Sequence, residues 1–259
     1  MKLFLKILGG IVLLLVAVLA FFAISLRPTI PEDRFELEPA ASVGGLNVLV
    51  FGATGKLGYE VVSDLTSRGD KVTAFVRASS DRSQLEPLGV EFAVGDAMDI
   101  GSVNAAFASG DFDAVITSVG AIRANPPPDY QGNANIFDAA AAAGVKRVIF
   151  VSTIGAGDSL KAAPLPSRMA LSKVIPLKTQ AEDHLKASGL DYTIIRPGGL
   201  PPGIGTGGGI LSEDRTTMGF IVRSDLARLV VGVLDDPRTI GKTFAAVDPA
   251  LESPWDDGS

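Results

Sequence analysis

Leu46–Phe51 reads LNVLVF and is apolar at nearly every position. Short runs of the same kind recur at Lys71–Val76, Val90–Val94, Phe112–Val119, Lys146–Ser152, Asp191–Arg196 and Thr243–Val247. A strand wetted on one face alternates apolar and polar residues. A run without that alternation predicts a strand covered on both faces, as in a parallel sheet between two helix layers. Stretches with helical spacing lie between the runs: Lys56–Ser67, Asp81–Leu88, Ile100–Ala108, Asn133–Ala143 closed by Gly144, Ser167–Ser188 and Ser224–Val233. The alternation predicts an α/β, Rossmann-like doubly wound parallel sheet over residues 46–248, with the first strand near its centre. Residues 249–259 are acidic and predict a flexible tail.

The amino-terminal pattern is different. Ile7–Leu26 holds no charged side chain and no proline, and it follows Lys2 and Lys6. Twenty helical residues span about 30 Å, the thickness of a bilayer's hydrocarbon core. Residues 1–26 therefore predict a single transmembrane helix that makes the protein single-pass and membrane-bound. A cleaved signal peptide is the competing reading, with only a weak small-residue cleavage pattern. Residues 27–45 contain Pro28, Pro31 and Pro39 and end in Gly44-Gly45, the composition of a linker. Two basic residues precede the span and two, Arg27 and Arg34, follow it, so the positive-inside rule leaves the side of the domain open.

Composition narrows the chemistry. The net charge of −6 argues against a general nucleic-acid binder. One histidine, His184, and no cysteine exclude disulfides, thiolate-held clusters, cysteine nucleophiles and multi-histidine zinc sites, and no metal site is expected. His184 reads as a solvent-facing helix residue. Glu182 and Asp183 are neighbours on that helix, and adjacent helix residues do not face one site together.

The most specific local feature is Gly52-Ala53-Thr54-Gly55-Lys56-Leu57-Gly58, between the first strand and the first helix. Gly52 permits a sharp turn out of the strand, Gly55 lets a pyrophosphate approach the backbone, and Gly58 lets the helix pack closely on the sheet. Amides at the helix start then face the anion. Gly52, Thr54, Gly55, Lys56, Leu57 and Gly58 are the residues expected to touch a dinucleotide. An ATPase-type phosphate loop is disfavoured, because Leu57 and not Ser or Thr follows Lys56. No acidic residue lies between Lys71 and Ser80 to accept ribose hydroxyls. Arg77, at the end of the second strand, instead offers a fork of donors for a 2′-phosphate, with Ser79, Ser80 and Arg82 nearby, which points to NADP(H). A solvent-facing end-of-strand arginine is the plain alternative.

Further motifs follow in order: Val76-Arg77, Gly95-Asp96, Ala140–Ser152, Lys178–Glu182, Ser188–Gly198 and Arg223–Ala227. With the glycine turn they resemble the atypical short-chain dehydrogenase/reductase superfamily, in its NmrA-like, NAD(P)-binding branch, over about Asn47 to Val247. The resemblance implies that Asp96 and Ala97 border the adenine. It also implies that Ser118 and Gly120 border the ribose and nicotinamide, that Lys178 touches the nicotinamide ribose, and that Pro197 passes the carboxamide. Ser152 falls near the usual catalytic serine. Asp96 also has a purely structural reading, as a cap on the next turn.

The chain departs from that pattern at one place. Active relatives carry tyrosine four residues before the lysine, to move a proton at the substrate oxygen. Val174 occupies that position. Tyr130, in the loop after the fourth strand, is the remaining tyrosine in reach of a cofactor, which leaves Lys178, Ser152 and Tyr130 as candidate catalytic residues. The glycine-rich stretch after Gly198 reads as a lid over a substrate or as a plain loop. Two functions are expected from these residues. One is a membrane-tethered NADP(H)-binding reductase acting on a small carbonyl or quinone-like molecule. The other is a non-catalytic redox sensor or assembly factor for a membrane protein complex.

Overall fold

The computed structural model describes residues 10–14, 16, 26–38 and 44–253. Eight strands form one sheet: β1 (Asn47–Phe51), β2 (Lys71–Val76), β3 (Glu91–Val94), β4 (Ala114–Thr117), β5 (Arg147–Val151), β6 (Asp191–Pro197), β7 (Ile210–Ser212) and β8 (Lys242–Val247). Their order is β3-β2-β1-β4-β5-β6-β8-β7, parallel throughout except for the antiparallel β7–β8 pair.

The absence of alternation in the strands has the expected cause. Val48 and Val50 of β1 face helices α1 (Lys56–Arg68) and α6 (Arg223–Gly232), while Leu49 and Phe51 face α2 (Ile100–Phe107), α3 (Gln131–Ala143) and α5 (Val174–Ala187). Both faces are dry, so both parities are apolar.

Three elements differ from the sequence reading. Asp81–Leu88 is not a helix. Asp81 caps Ser83 N–H at 3.0 Å, and only Glu86–Leu88 forms a single 3₁₀ turn, closed by Gly89 at φ +67°. The long helix predicted over Ser167–Ser188 is two, α4 (Leu165–Ala170) and α5, with a turn at 171–173. Pro176 lacks an N–H and fits a helix only in its first turn, so α5 has to begin just ahead of it. The short β7 lies inside a stretch read as loop.

Residues 26–38, read as a linker, lie against the domain. Thr29 bridges to Met218, Phe35 bridges to Leu211, and Leu26 packs on Met218, Phe220, Val222 and Leu251. Leu251 is 2% exposed, so the tail expected from residue 249 is packed at its start, and its residues 254–259 lie outside the described residues. Among the described residues no helix is long and apolar enough to cross a membrane. Most of the anchor expected at residues 7–26 lies outside the described residues. Of its described part, residues 10–14 and 16 are helical, and Ile11, Val12, Leu13, Leu14 and Val16 are each more than half exposed.

Candidate functional site

β1 and β4 are neighbours, yet the chain runs outward from them in opposite directions along the sheet. Connections from their carboxyl ends therefore part, opening the crevice where ligands bind in this architecture. Gly52 leaves β1 at φ +84°, and a Cβ there would stand 2.6 Å from Ser118 Oγ, just past the end of β4. A Cβ on Gly58 would lie 2.0 Å from the Gly52 carbonyl oxygen, which fixes how closely α1 meets the turn. Gly55 has ordinary extended geometry, φ −75°, and a Cβ there would meet only Gly52 O, at 3.1 Å. Its bareness leaves room above the helix start and relieves no strain.

That helix start is open to an anion. The first intrahelical bond is Tyr59 N–H to Gly55 O at 2.9 Å, so the amides of Lys56, Leu57 and Gly58 precede the helical ladder. No side chain caps α1, and its first turn has no acidic residue. Thr54 and Lys56 are exposed, whereas the Leu57 side chain is buried and offers only its amide outward. Uncapped amides at the positive end of a helix dipole, with no acidic residue in the first turn, fit a pyrophosphate.

Arg77 follows β2 and is exposed, with no ion-pair partner among the described residues. Arg82, expected to assist it, lies over the Phe92 ring at 5.4 Å and is held toward β3. Asp96 is exposed beyond β3 and uses Oδ1 to accept Met98 N–H at 2.9 Å, the capping alternative in the sequence reading. Ala97 is buried, its carbonyl accepting from Asn135 Nδ2 at 2.8 Å.

Lys178 is 5% exposed and comes up from α5 beneath the ends of β4 and β5. Its Nζ donates to Val119 O at 2.8 Å and Val151 O at 3.1 Å and lies 4.7 Å from the centre of the Phe150 ring. Burial lowers its pKa from 10.5 to about 8, against the opposing pull of Asp129 and Glu182. Gly120 covers this pair of charges: a Cβ there would lie 2.8 Å from Asp129 Oδ1 and 3.4 Å from Lys178 Nζ. Asn133, fully buried, accepts from Thr117 Oγ1 at 2.8 Å and donates to Val119 O at 3.1 Å and Asp129 O at 2.8 Å, which fixes the end of β4.

Two candidate catalytic residues are otherwise engaged. Ser152 is buried and donates its hydroxyl to Glu182 Oε1 at 2.6 Å. Glu182 also receives Arg196 Nε at 2.9 Å and Arg196 Nη2 at 2.6 Å, and Arg196 Nη1 reaches Asp158 at 2.5 Å. Ser152 thus belongs to a buried ionic cluster, and its proton is directed into the wall. Tyr130 packs its ring against His184, centroids 6.2 Å apart, six residues down α5 from Lys178. His184 is itself partly buried, with Nε2 2.7 Å from Asp138 Oδ1, and does not simply face solvent. Val174, one turn before Lys178, is 7% exposed and carries no proton donor. Pro197 ends β6 buried, its carbonyl accepting Ile154 N–H at 3.0 Å.

The structure thus gathers Gly52–Gly58, Ser118, Gly120 and Lys178 around one crevice and packs the Tyr130 ring against His184. The sequence reading missed Asp129, Asn133 and the Glu182–Arg196 pair as site-shaping groups. A lone arginine at the end of an otherwise apolar strand, and a glutamate four residues after Lys178 on the same helix face, were the signals available.

The model of a family described as NAD(P)H-binding matches residues 52–237. YhfK of Bacillus subtilis, named an uncharacterized sugar epimerase, is 34% identical over 207 residues, covering 77% of this chain and 92% of its own. Sanguinarine reductase of Eschscholzia californica is 28% identical over 246 residues, covering 77% and 88%. Among solved structures, ChuY, an anaerobillin reductase from Escherichia coli O157:H7, superposes with a TM-score of 0.73 at 31% identity, over 80% of this chain and 98% of its own.

Proposed function

Because the chain belongs to the NAD(P)H-binding family, within the atypical short-chain dehydrogenase/reductase superfamily, we propose that its nicotinamide dinucleotide is NADP(H) and that it reduces a small carbonyl or quinone-like substrate while tethered to a membrane. The observation that carries this reading is the uncapped start of α1, free of acidic side chains, in the same crevice as a buried, titratable Lys178. The turn Gly52–Gly58 would hold the pyrophosphate, Arg77 the 2′-phosphate, and Lys178 the nicotinamide ribose. When bound, the nicotinamide supplies a hydride.

The chain's own residues limit how the proton is handled. Val174 cannot give one, and Ser152 gives its own to Glu182. Lys178 is held by two carbonyls at the floor and serves to orient ribose hydroxyls. A quinone suits such a site, because its reduced oxygens are stable enough to take protons from water. The tether rests on the apolar, uncharged residues 7–26.

The missing proton donor favours a second reading, a dinucleotide-binding sensor or assembly factor that acts on a membrane protein complex without turnover. Fluorescence titration of the full chain with NADPH and NADH, followed by assays over a panel of quinones and aldehydes, separates the two. The reductase reading expects tight NADPH binding and quinone turnover that survives Tyr130→Phe. NADPH binding with no turnover supports the sensor, and absence of NADPH binding sinks both.

A further inference from the structure

The segment from Ser152 to Lys178, which joins β5 to α5 over the mouth of the crevice, carries a surface unlike the rest of this acidic protein. A cleft of about 440 Å³ is lined there by Arg27, Lys161, Arg168, Pro164, Leu165 and Met218, among others, and none of its lining residues is acidic. None of its three cations has an ion-pair partner among the described residues, although eleven ion pairs occur elsewhere among them. Arg168 Nε also lacks a hydrogen-bond partner. Beside these charges Leu160, Leu165 and Met169 are 46%, 47% and 69% exposed. Unpaired cations next to exposed aliphatic side chains are the composition of a membrane-surface face.

Chain geometry identifies the occupant. Arg27 is the first basic residue after the twenty uncharged residues 7–26, and it lies in the wall of this cleft. Leu26 and Thr29 are fastened to Met218. The chain that follows the apolar segment is therefore held to the domain at one place, Leu26 to Thr29, in the wall of this cleft. A surface entered by residues 7–25 would lie next to this cleft and its cations.

We infer that the face formed by Arg27, Lys161, Arg168, Leu165 and Met169 seats on the anionic headgroups of a bilayer, with the aliphatic side chains at the level of the upper acyl chains. This rests on the membrane tether in the functional reading. It turns the mouth between Ser152 and Lys178 toward the lipid interface and deepens that reading: the substrate is an amphipathic molecule that partitions into the bilayer.

The chain contains no cysteine, so one introduced thiol carries one label. The full chain bearing a spin label at Met169→Cys is reconstituted into vesicles of phosphatidylcholine, with or without phosphatidylglycerol. A label at Ala143→Cys, exposed at the other end of the strands, serves as reference. In anionic vesicles the label at 169 is expected to be accessible to dissolved oxygen and shielded from a water-soluble nickel chelate, and the label at 143 the reverse. Replacing Lys161 or Arg168 by Gln should lower the docked-to-free ratio by about fivefold for each. A label at 169 that stays aqueous in anionic vesicles, behaves identically in neutral ones, or is shielded from both reagents as in a protein contact, overturns the face. Flotation of the same vesicles separates the failures. A chain that does not float overturns the tether and the face together, one that floats with an aqueous label overturns the face alone, and NADPH titration reads the redox assignment independently.

Discussion

Arg196 holds Glu182 through two parallel bonds of 2.9 and 2.6 Å, and neither side chain is more than 2% exposed. Ser152 bonds to the pair on one side and Asp158 on the other. Removing one partner strands a buried charge, which costs about 3–5 kcal/mol. Arg196→Met should therefore lower the unfolding free energy from denaturant titration by that amount, and combining it with Glu182→Gln should cost less than the sum of the two single changes. Additivity in that double-mutant cycle would show the bonds to be uncoupled.

The glycines of the turn should separate folding from binding. Gly58→Ala drives a Cβ into the Gly52 carbonyl at 2.0 Å, so α1 has to lift, and both stability and NADPH affinity are expected to fall. Gly55→Ala keeps an allowed φ and makes one 3.1 Å contact. Its melting temperature should change little, while NADPH affinity falls more than about tenfold through the lost approach to the amides. Thermal melts paired with fluorescence titrations check both, and an unchanged affinity for Gly55→Ala would remove the phosphate site from this helix start.

Lys178 gives stability a pH dependence of defined sign. The unfolded chain keeps this proton up to the ordinary lysine pKa of 10.5, whereas the folded chain releases it near 8. Between those values the unfolded state binds more protons, so this group's contribution to stability rises with pH, by about 3 kcal/mol across the window. Below pH 8 both states hold the proton and the cost of burying the ammonium is complete. Urea midpoints of the wild type and of Lys178→Met, measured from pH 7 to 10.5, should converge or cross in that direction. Parallel curves would mean that the amine is not desolvated.

Arg77 should distinguish the two dinucleotides. A charged fork meeting a 2′-phosphate contributes about 1.5–3 kcal/mol, so Arg77→Ala should weaken NADPH by about 10- to 100-fold and leave NADH nearly unchanged. Equal losses for both would assign Arg77 to solvent and leave the preference to another group.

Much of this fold was legible because burial on both sides of a sheet leaves an uninterrupted apolar run, and the runs fall where β1, β2, β5, β6 and β8 lie. The glycine turn was legible for a related reason: close backbone approaches admit only one residue type. Other features left weaker traces. The break between α4 and α5 depends on Pro176, which sits inside a helix's first turn and does not look like a terminator. β7 is three residues long in a glycine-rich stretch. The surroundings of Ser152 and Tyr130 left no local trace because they are set by tertiary neighbours: Glu182, which accepts from the Ser152 hydroxyl, is thirty residues away, and His184, which the Tyr130 ring meets, is more than fifty away. Lys178 was visible only through the resemblance, and its depressed pKa follows from a burial that the fold alone imposes.

The bridge between Phe35 and Leu211 has a practical side. β8 pairs with one flank of β7, and on the other Phe35 N–H donates to Leu211 O at 2.8 Å while its ring packs 4.8 Å from that of Phe244. A strand flank left bare is a template for pairing with another chain. Severing the protein between residues 38 and 44 to free it from its apolar start would uncover that flank and invite self-association, whereas cleavage just ahead of Leu26 leaves the guard in place.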